Sequence, residues 1–289
     1  MRRMLLLVLA AVSCAARAVE PWSTTRFPQD EEKWWWDEGW WERGTLPAPA
    51  NHAVRVRAAT YRSGEVEVPV EIFSAGQFPV VLFLHGRRGL DELTRLVPLR
   101  LAARGFTVVA PDLFSARFID KMPVRHDLAL EEDAARAIDF ALALPEARGQ
   151  ARTCVVSHTR GGYYALKALV TKGRQAKTAC YVSYYPHWQH PEAPEAMQVY
   201  QYAPEVDELG VPVLVFVGEH EQYQRVRPIL TGIASLRAKK RDARVLVYPG
   251  VGRGFDFRPR EVRTLADDMA AQDSLARAAG FIRTHLQAR

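Results

Sequence analysis

Cysteine is scarce, with three in 289 residues: Cys14, Cys154 and Cys180. So few thiols exclude a small disulfide-framed scaffold and a cysteine-rich metal cluster. Long hydrophobic runs are absent as well. The apolar stretch Met4 to Val12 is far too short to cross a bilayer. No internal repeat or low-complexity tract appears, which argues against a solenoid or a disordered linker protein. Charge of a single sign is also lacking. Arg2 and Arg3 precede the apolar stretch and Ala16-Arg17-Ala18 closes it, so residues 1–18 read as a secretory signal peptide, with a periplasmic or extracellular destination. Its removal takes three of the 39 basic residues and none of the 33 acidic ones, leaving 36 against 33. That balance carries no nucleic-acid footprint. An alternative cut before Cys14 rests on a loose resemblance of Ala11-Val12-Ser13-Cys14 to a lipobox. A lipid anchor there would be the chain's only membrane contact. Cys154 and Cys180 lie inside apolar runs and are expected to be buried free thiols, because neighbouring parallel strands rarely offer disulfide geometry.

Residues 19–53 hold six of the seven tryptophans (Trp22, Trp34, Trp35, Trp36, Trp40 and Trp41) among acids and prolines. They read as an arm that folds back onto the domain, with a carbohydrate or partner surface as the alternative. Residues 54–289 form the domain. Alternation on either side of Ser63-Gly64 predicts an antiparallel hairpin. Continuous apolar runs then follow at Val80–Leu84, Phe106–Ala110, Thr153–Val156, Cys180–Tyr185, Val211–Val217 and Arg244–Tyr248. Runs without alternation are strands buried on both faces, hence an α/β three-layer sandwich around a mostly parallel sheet of about eight strands. Ala134, Ala135, Ile138, Ala141 and Leu142 keep a helical period that Pro145 ends, and Leu275 to Leu286 carry an apolar stripe on a C-terminal helix.

Ligands of such sheets gather at the carboxyl ends of the strands. Arg152 to Gly162 reads as strand, tight turn and helix, with Ser157-x-Thr159-x-Gly161 at the spacing of a nucleophile elbow. Other strand ends supply Leu84-His85-Gly86, Ala110-Pro111-Asp112-Leu113-Phe114, Pro212 to Glu221, and Tyr248-Pro249-Gly250-x-Gly252-x-Gly254-Phe255. From about Val54 to the C-terminus these segments together resemble the dienelactone hydrolase family of α/β hydrolases. The resemblance implies the α/β-hydrolase fold and hydrolysis of esters or lactones by a cysteine or serine nucleophile, an acid and a histidine. Carried across by motif, those places hold Thr159, Glu221 and Arg253.

A β-branched residue resists the positive φ of an elbow, so Thr159 implies either a relaxed turn or retained strain. Threonine can attack only if a base takes its proton, and a guanidinium has no lone pair to offer. An ion pair between Glu221 and Arg253 is the expected result, in a triad inactive for its inherited chemistry. The competing expectation is an active carboxylic ester or lactone hydrolase with Thr159 as nucleophile and His220 as substitute base. His158, His187, His190 and His220 share the rim, and as a set they are read as half-exposed polar residues in preference to a metal site; no cofactor is expected. Asp112 reads as structural. Arg87, Arg88 and Arg160 point to a small anionic ligand, Arg160 because a cation at a helix N-terminus opposes the dipole. Solvated arginines with no common target are the alternative reading.

Overall fold

The computed structural model describes residues 23–24, 53–76 and 79–287. Residues 1–18 and the tryptophans of the arm lie outside the described residues. From the arm only β1 (Ser23–Thr24) is seen, a two-residue strand parallel to the last strand of the sheet.

The domain begins with a hairpin, β2 (Arg55–Ser63) and β3 (Val66–Ser74), joined by a two-residue turn in which Gly64 takes φ 62°. There follow β4 (Val80–Leu84), α1 (Leu96–Ala103), β5 (Thr107–Pro111), α2 (Ala129–Ala143) and β6 (Thr153–His158). Next come α3 (Gly161–Leu166), which continues as a π turn over Lys167–Thr171, then β7 (Thr178–Tyr184) and the short α4 (Glu195–Tyr200). The chain closes with β8 (Val213–Gly218), α5 (Tyr223–Ala238), β9 (Ala243–Tyr248) and α6 (Leu265–Gln287). Strand order is β1-β9-β8-β7-β6-β4-β5-β3-β2, eight strands of the domain plus β1. All neighbours from β1 to β5 pair parallel, and only β3 opposes both β5 and β2.

Every residue of β4, β5, β6, β7 and β8 is buried, which is why their sequences run apolar without alternation. Helices α1 and α6 touch each other on one face; α2, α3 and α5 pack against strands on the other. The sheet order reverses at β4, which lies between β6 and β5, so a crevice opens beyond the ends of β4 and β6. His85-Gly86 and Thr159 are the residues delivered to it.

One expectation is overturned here. Cys154 and Cys180 are joined by a disulfide between β6 and β7, not left as free thiols. They are direct partners in the register, a shift beside Thr153/Cys154 accompanies the pairing, and their Cα atoms stand 4.7 Å apart, within disulfide reach.

Candidate functional site

The elbow is intact. Thr159 sits at φ 46°, a left-handed conformation costing a β-branched residue of order 1–3 kcal/mol. The turn therefore keeps its strain and is not relaxed. Two glycines force it: a Cβ on Gly161 would lie 2.4 Å from the Leu84 carbonyl oxygen, and one on Gly162 would lie 2.7 Å from Pro186 Cβ. Helix α3 thus starts pressed between β4 and the end of β7. The turn is tied by Thr159 N–H to Tyr184 O (3.2 Å), Gly162 N–H to Thr159 O (3.0 Å) and His187 N–H to Thr159 O (2.8 Å). The threonine hydroxyl faces Gly86, where a Cβ would come within 1.8 Å of Oγ1. The backbone N–H groups of Arg87 and Arg160, which follow Gly86 and Thr159 in the chain, bond to no carbonyl among the described residues. His85 holds this edge: Nδ1 donates to Gly86 O (2.8 Å) and Nε2 accepts from Leu113 N–H (3.0 Å), a neutral tautomer that burial favours by lowering its pKa.

Glu221 and Arg253 meet. Arg253 Nε donates to both carboxylate oxygens, at 3.1 and 3.2 Å, and its NH1 donates to His187 Nε2. The Glu221 side chain has no exposed surface, and Gln222 N–H reaches its Oε1 at 2.8 Å. Burial pushes His187 well below the usual histidine value, and the neighbouring cations Arg253, Arg225, Arg160 and Arg87 push it further the same way. His187 is neutral, and its Nε2 lone pair is taken by the guanidinium. Thr159 Oγ1 has no hydrogen-bonding side chain among the described residues.

The other histidines are differently placed. His158 is buried, with Nε2 3.2 Å from Asp256 Oδ2 and Nδ1 3.5 Å from the Tyr185 hydroxyl, which itself donates to Asp256 Oδ1. Its ring stacks on Phe257. Burial lowers its pKa, against the opposite pull of Asp256. His190 and His220 are exposed. The structure does not bring the expected substitute base His220 to the cleft: the turn closed by Glu221 N–H to Gly218 O (3.1 Å) carries Glu221 inward and His220 to solvent.

The crevice is a cavity of about 400 Å³ bordered by Arg87, Arg88, Arg225, Arg253 and Arg258, with no carboxylate in its lining among the described residues. Behind it, Arg88 pairs with Asp91 at 2.5 Å and Arg258 with Asp267 at 3.5 Å. Arg87 and Arg225 have neutral partners. Arg87 donates to the carbonyls of Pro123 (3.0 Å) and Met122 (2.9 Å), and Arg225 to the amide oxygens of Gln189 (3.2 Å) and Gln198 (3.1 Å). Burial, then the charge of Arg253, pushes Arg225 down to about 10, which leaves it cationic at neutral pH. Arg160 departs from the anion-binding expectation. It does not border the cavity; its NH1 grips the carbonyls of Pro123 (2.9 Å) and Arg125 (3.3 Å). Carbonyl dipoles, not an anion, receive its charge.

Residues 70–286 match the dienelactone hydrolase family. A chlorophyllase type 0 of Chenopodium album is 35% identical over 77 residues, covering 27% of this chain and 22% of that protein, so the match spans about a fifth of the relative's length. Among solved structures, a bacterial brefeldin A esterase shares 18% identity with a TM-score of 0.65, covering 85% of this chain and 81% of that one. A dienelactone hydrolase-like promiscuous phosphotriesterase from metagenomic libraries superposes at TM-score 0.62 with 19% identity, covering 81% and 99%. The hyperthermophilic esterase of Pyrobaculum calidifontis gives 0.62 and 20%, covering 81% and 85%. These likenesses share the α/β-hydrolase fold. With the family pattern running over three quarters of its sequence, the chain belongs to the dienelactone hydrolase family.

Proposed function

We propose that this is an exported α/β-hydrolase-fold protein whose triad positions no longer relay protons and whose cleft binds a small anion. The observation that carries the reading is Arg253, a permanent cation at the family's base position, its Nε shared between the two Glu221 oxygens and its NH1 donating to the His187 imidazole. A donor cannot accept the Thr159 proton, and the buried Glu221 carboxylate holds Arg253 through a charge-assisted bond shared by both of its oxygens. Five arginines around a cavity with no carboxylate among its described lining residues favour an anionic occupant, and the uncommitted N–H of Arg87 adds a neutral donor. The residues 1–18 pattern supports export, as does the Cys154–Cys180 disulfide, a feature of oxidising compartments.

Calorimetric titration with inorganic phosphate and citrate, together with an aryl-ester assay, tests the reading. Binding that weakens with added salt is expected, with no ester turnover above that of Thr159→Ala. Turnover that disappears in Thr159→Ala would establish the second reading, hydrolysis of an ester or lactone by Thr159. That reading is favoured by one observation, the unbonded threonine hydroxyl facing Gly86, whose chain neighbour Arg87 carries an N–H bonded to no carbonyl among the described residues.

A further inference from the structure

Between β5 and α2 the chain displays apolar side chains to water in quick succession. Phe118 is 96% exposed, Val124 81%, Leu128 71% and Met122 54%. Exposed apolar clusters of this kind mark a surface that meets something else. The segment is not slack. Met122 N–H bonds to Arg87 O (2.7 Å), and Arg87 and Arg160 return to hold the carbonyls of residues 122, 123 and 125. Phe118 and Met122 are both in the left-handed region, at φ 53° and 62°, which bulky residues resist. The result is a fixed ledge whose apolar groups do not fold away.

Met122 belongs to both regions, being half-exposed on the ledge and part of the cavity wall, to which Leu93, Phe257 and Pro259 also contribute apolar surface. Cationic lining and apolar ledge are therefore continuous through Met122. Resting on the anion-binding reading above, we infer that the ligand is an anionic amphiphile. Its oxyanion head lies among Arg87, Arg225 and Arg253, and its alkyl tail leaves past Met122 onto Val124 and the apolar neighbours of that segment.

The test is a series of monoalkyl phosphates from methyl to octyl, kept below micellar concentration and titrated calorimetrically against the full-length protein at fixed ionic strength, with inorganic phosphate as reference. A methylene half-covered by the ledge contributes about a factor of two in affinity, so octyl phosphate should bind roughly sixteen-fold more tightly than butyl phosphate. In the double variant Val124→Ser/Leu128→Ser, whose altered residues are exposed, the chain-length dependence should flatten while inorganic phosphate binds within about twofold of wild type. A series with no dependence on chain length, or one that persists unchanged in the double variant, overturns the amphiphile. If Arg225→Gln leaves phosphate affinity untouched, the anion reading itself fails, and that outcome is separate from a flat series.

Discussion

Replacing Arg253 by histidine and Thr159 by serine should restore what the two positions lack. Thr159→Ser removes the β-branch that φ 46° penalises and leaves a primary hydroxyl facing Gly86. Arg253→His puts an imidazole next to Glu221, whose buried carboxylate then has a ring N–H to orient. A positioned general base contributes about 10²- to 10⁴-fold, or roughly 2.7–5.5 kcal/mol of barrier. Thr159→Ser alone supplies no base, and Arg253→His alone leaves a secondary hydroxyl on a β-branched residue held at φ 46°, so each should change aryl-ester turnover by less than about tenfold. The double variant should exceed the product of the singles by at least about a hundredfold, a coupling energy near 2.7 kcal/mol. Its rate should rise with pH through roughly 6 to 7, the ordinary imidazole range. Arg253→His also releases His187 Nε2, so His187→Gln in the double background shows which ring acts. The reasoning is refuted if Thr159→Ser alone gives the full gain, for a working base would then already be present, or if the folded double variant shows no coupling.

Acid should destabilise the fold steeply. His85, His158 and His187 are buried, with pKa values held below the ordinary 6.5. Above that pH neither state carries their protons; below it the unfolded chain takes up three that the folded one refuses. Stability then falls by up to about 4 kcal/mol per pH unit until the folded values are reached. Urea midpoints at pH 7.5, 6 and 5 report this, and unchanged midpoints would contradict neutral buried imidazoles. The Cys154–Cys180 bond spans 26 residues, a closure contributing about 3.5 kcal/mol in the chain-entropy account. Urea unfolding with and without a reductant should differ by roughly that amount, whereas coincident curves would mean the thiols are free.

The strands were legible because β4 to β8 are sealed on both faces, so their centres carry apolar residues on consecutive positions in place of an apolar–polar alternation. The elbow was legible because close passage of α3 past β4 leaves room only for Gly161 and Gly162. Glu221 and Arg253 could be paired on paper because each follows its strand by a fixed interval. Arg225 could not: it lies in the first turn of α5 and reads as a solvated helical arginine until the fold turns that helix end toward the cavity. Arg258 and Asp256 were missed similarly, as tail residues of a recognised turn. The placement of an acid position just before α5 was the available signal for Arg225. Arg160 was read for its charge, but its reach to carbonyls 35 and 37 residues earlier in the chain depends on a loop conformation no local pattern encodes. The disulfide depended on a single-residue register between β6 and β7, to which apolar composition is blind.

The grip of Arg87 and Arg160 on the carbonyls of residues 122, 123 and 125 has a consequence for how this cleft can change. A carbonyl oxygen is common to all amino acids, so the gate is anchored by features that substitution does not erase. Side chains at 124 and 125 are free to vary in size and polarity while the backbone beside the cavity keeps its place. What enters can thus be retuned one residue at a time, without rebuilding the doorway.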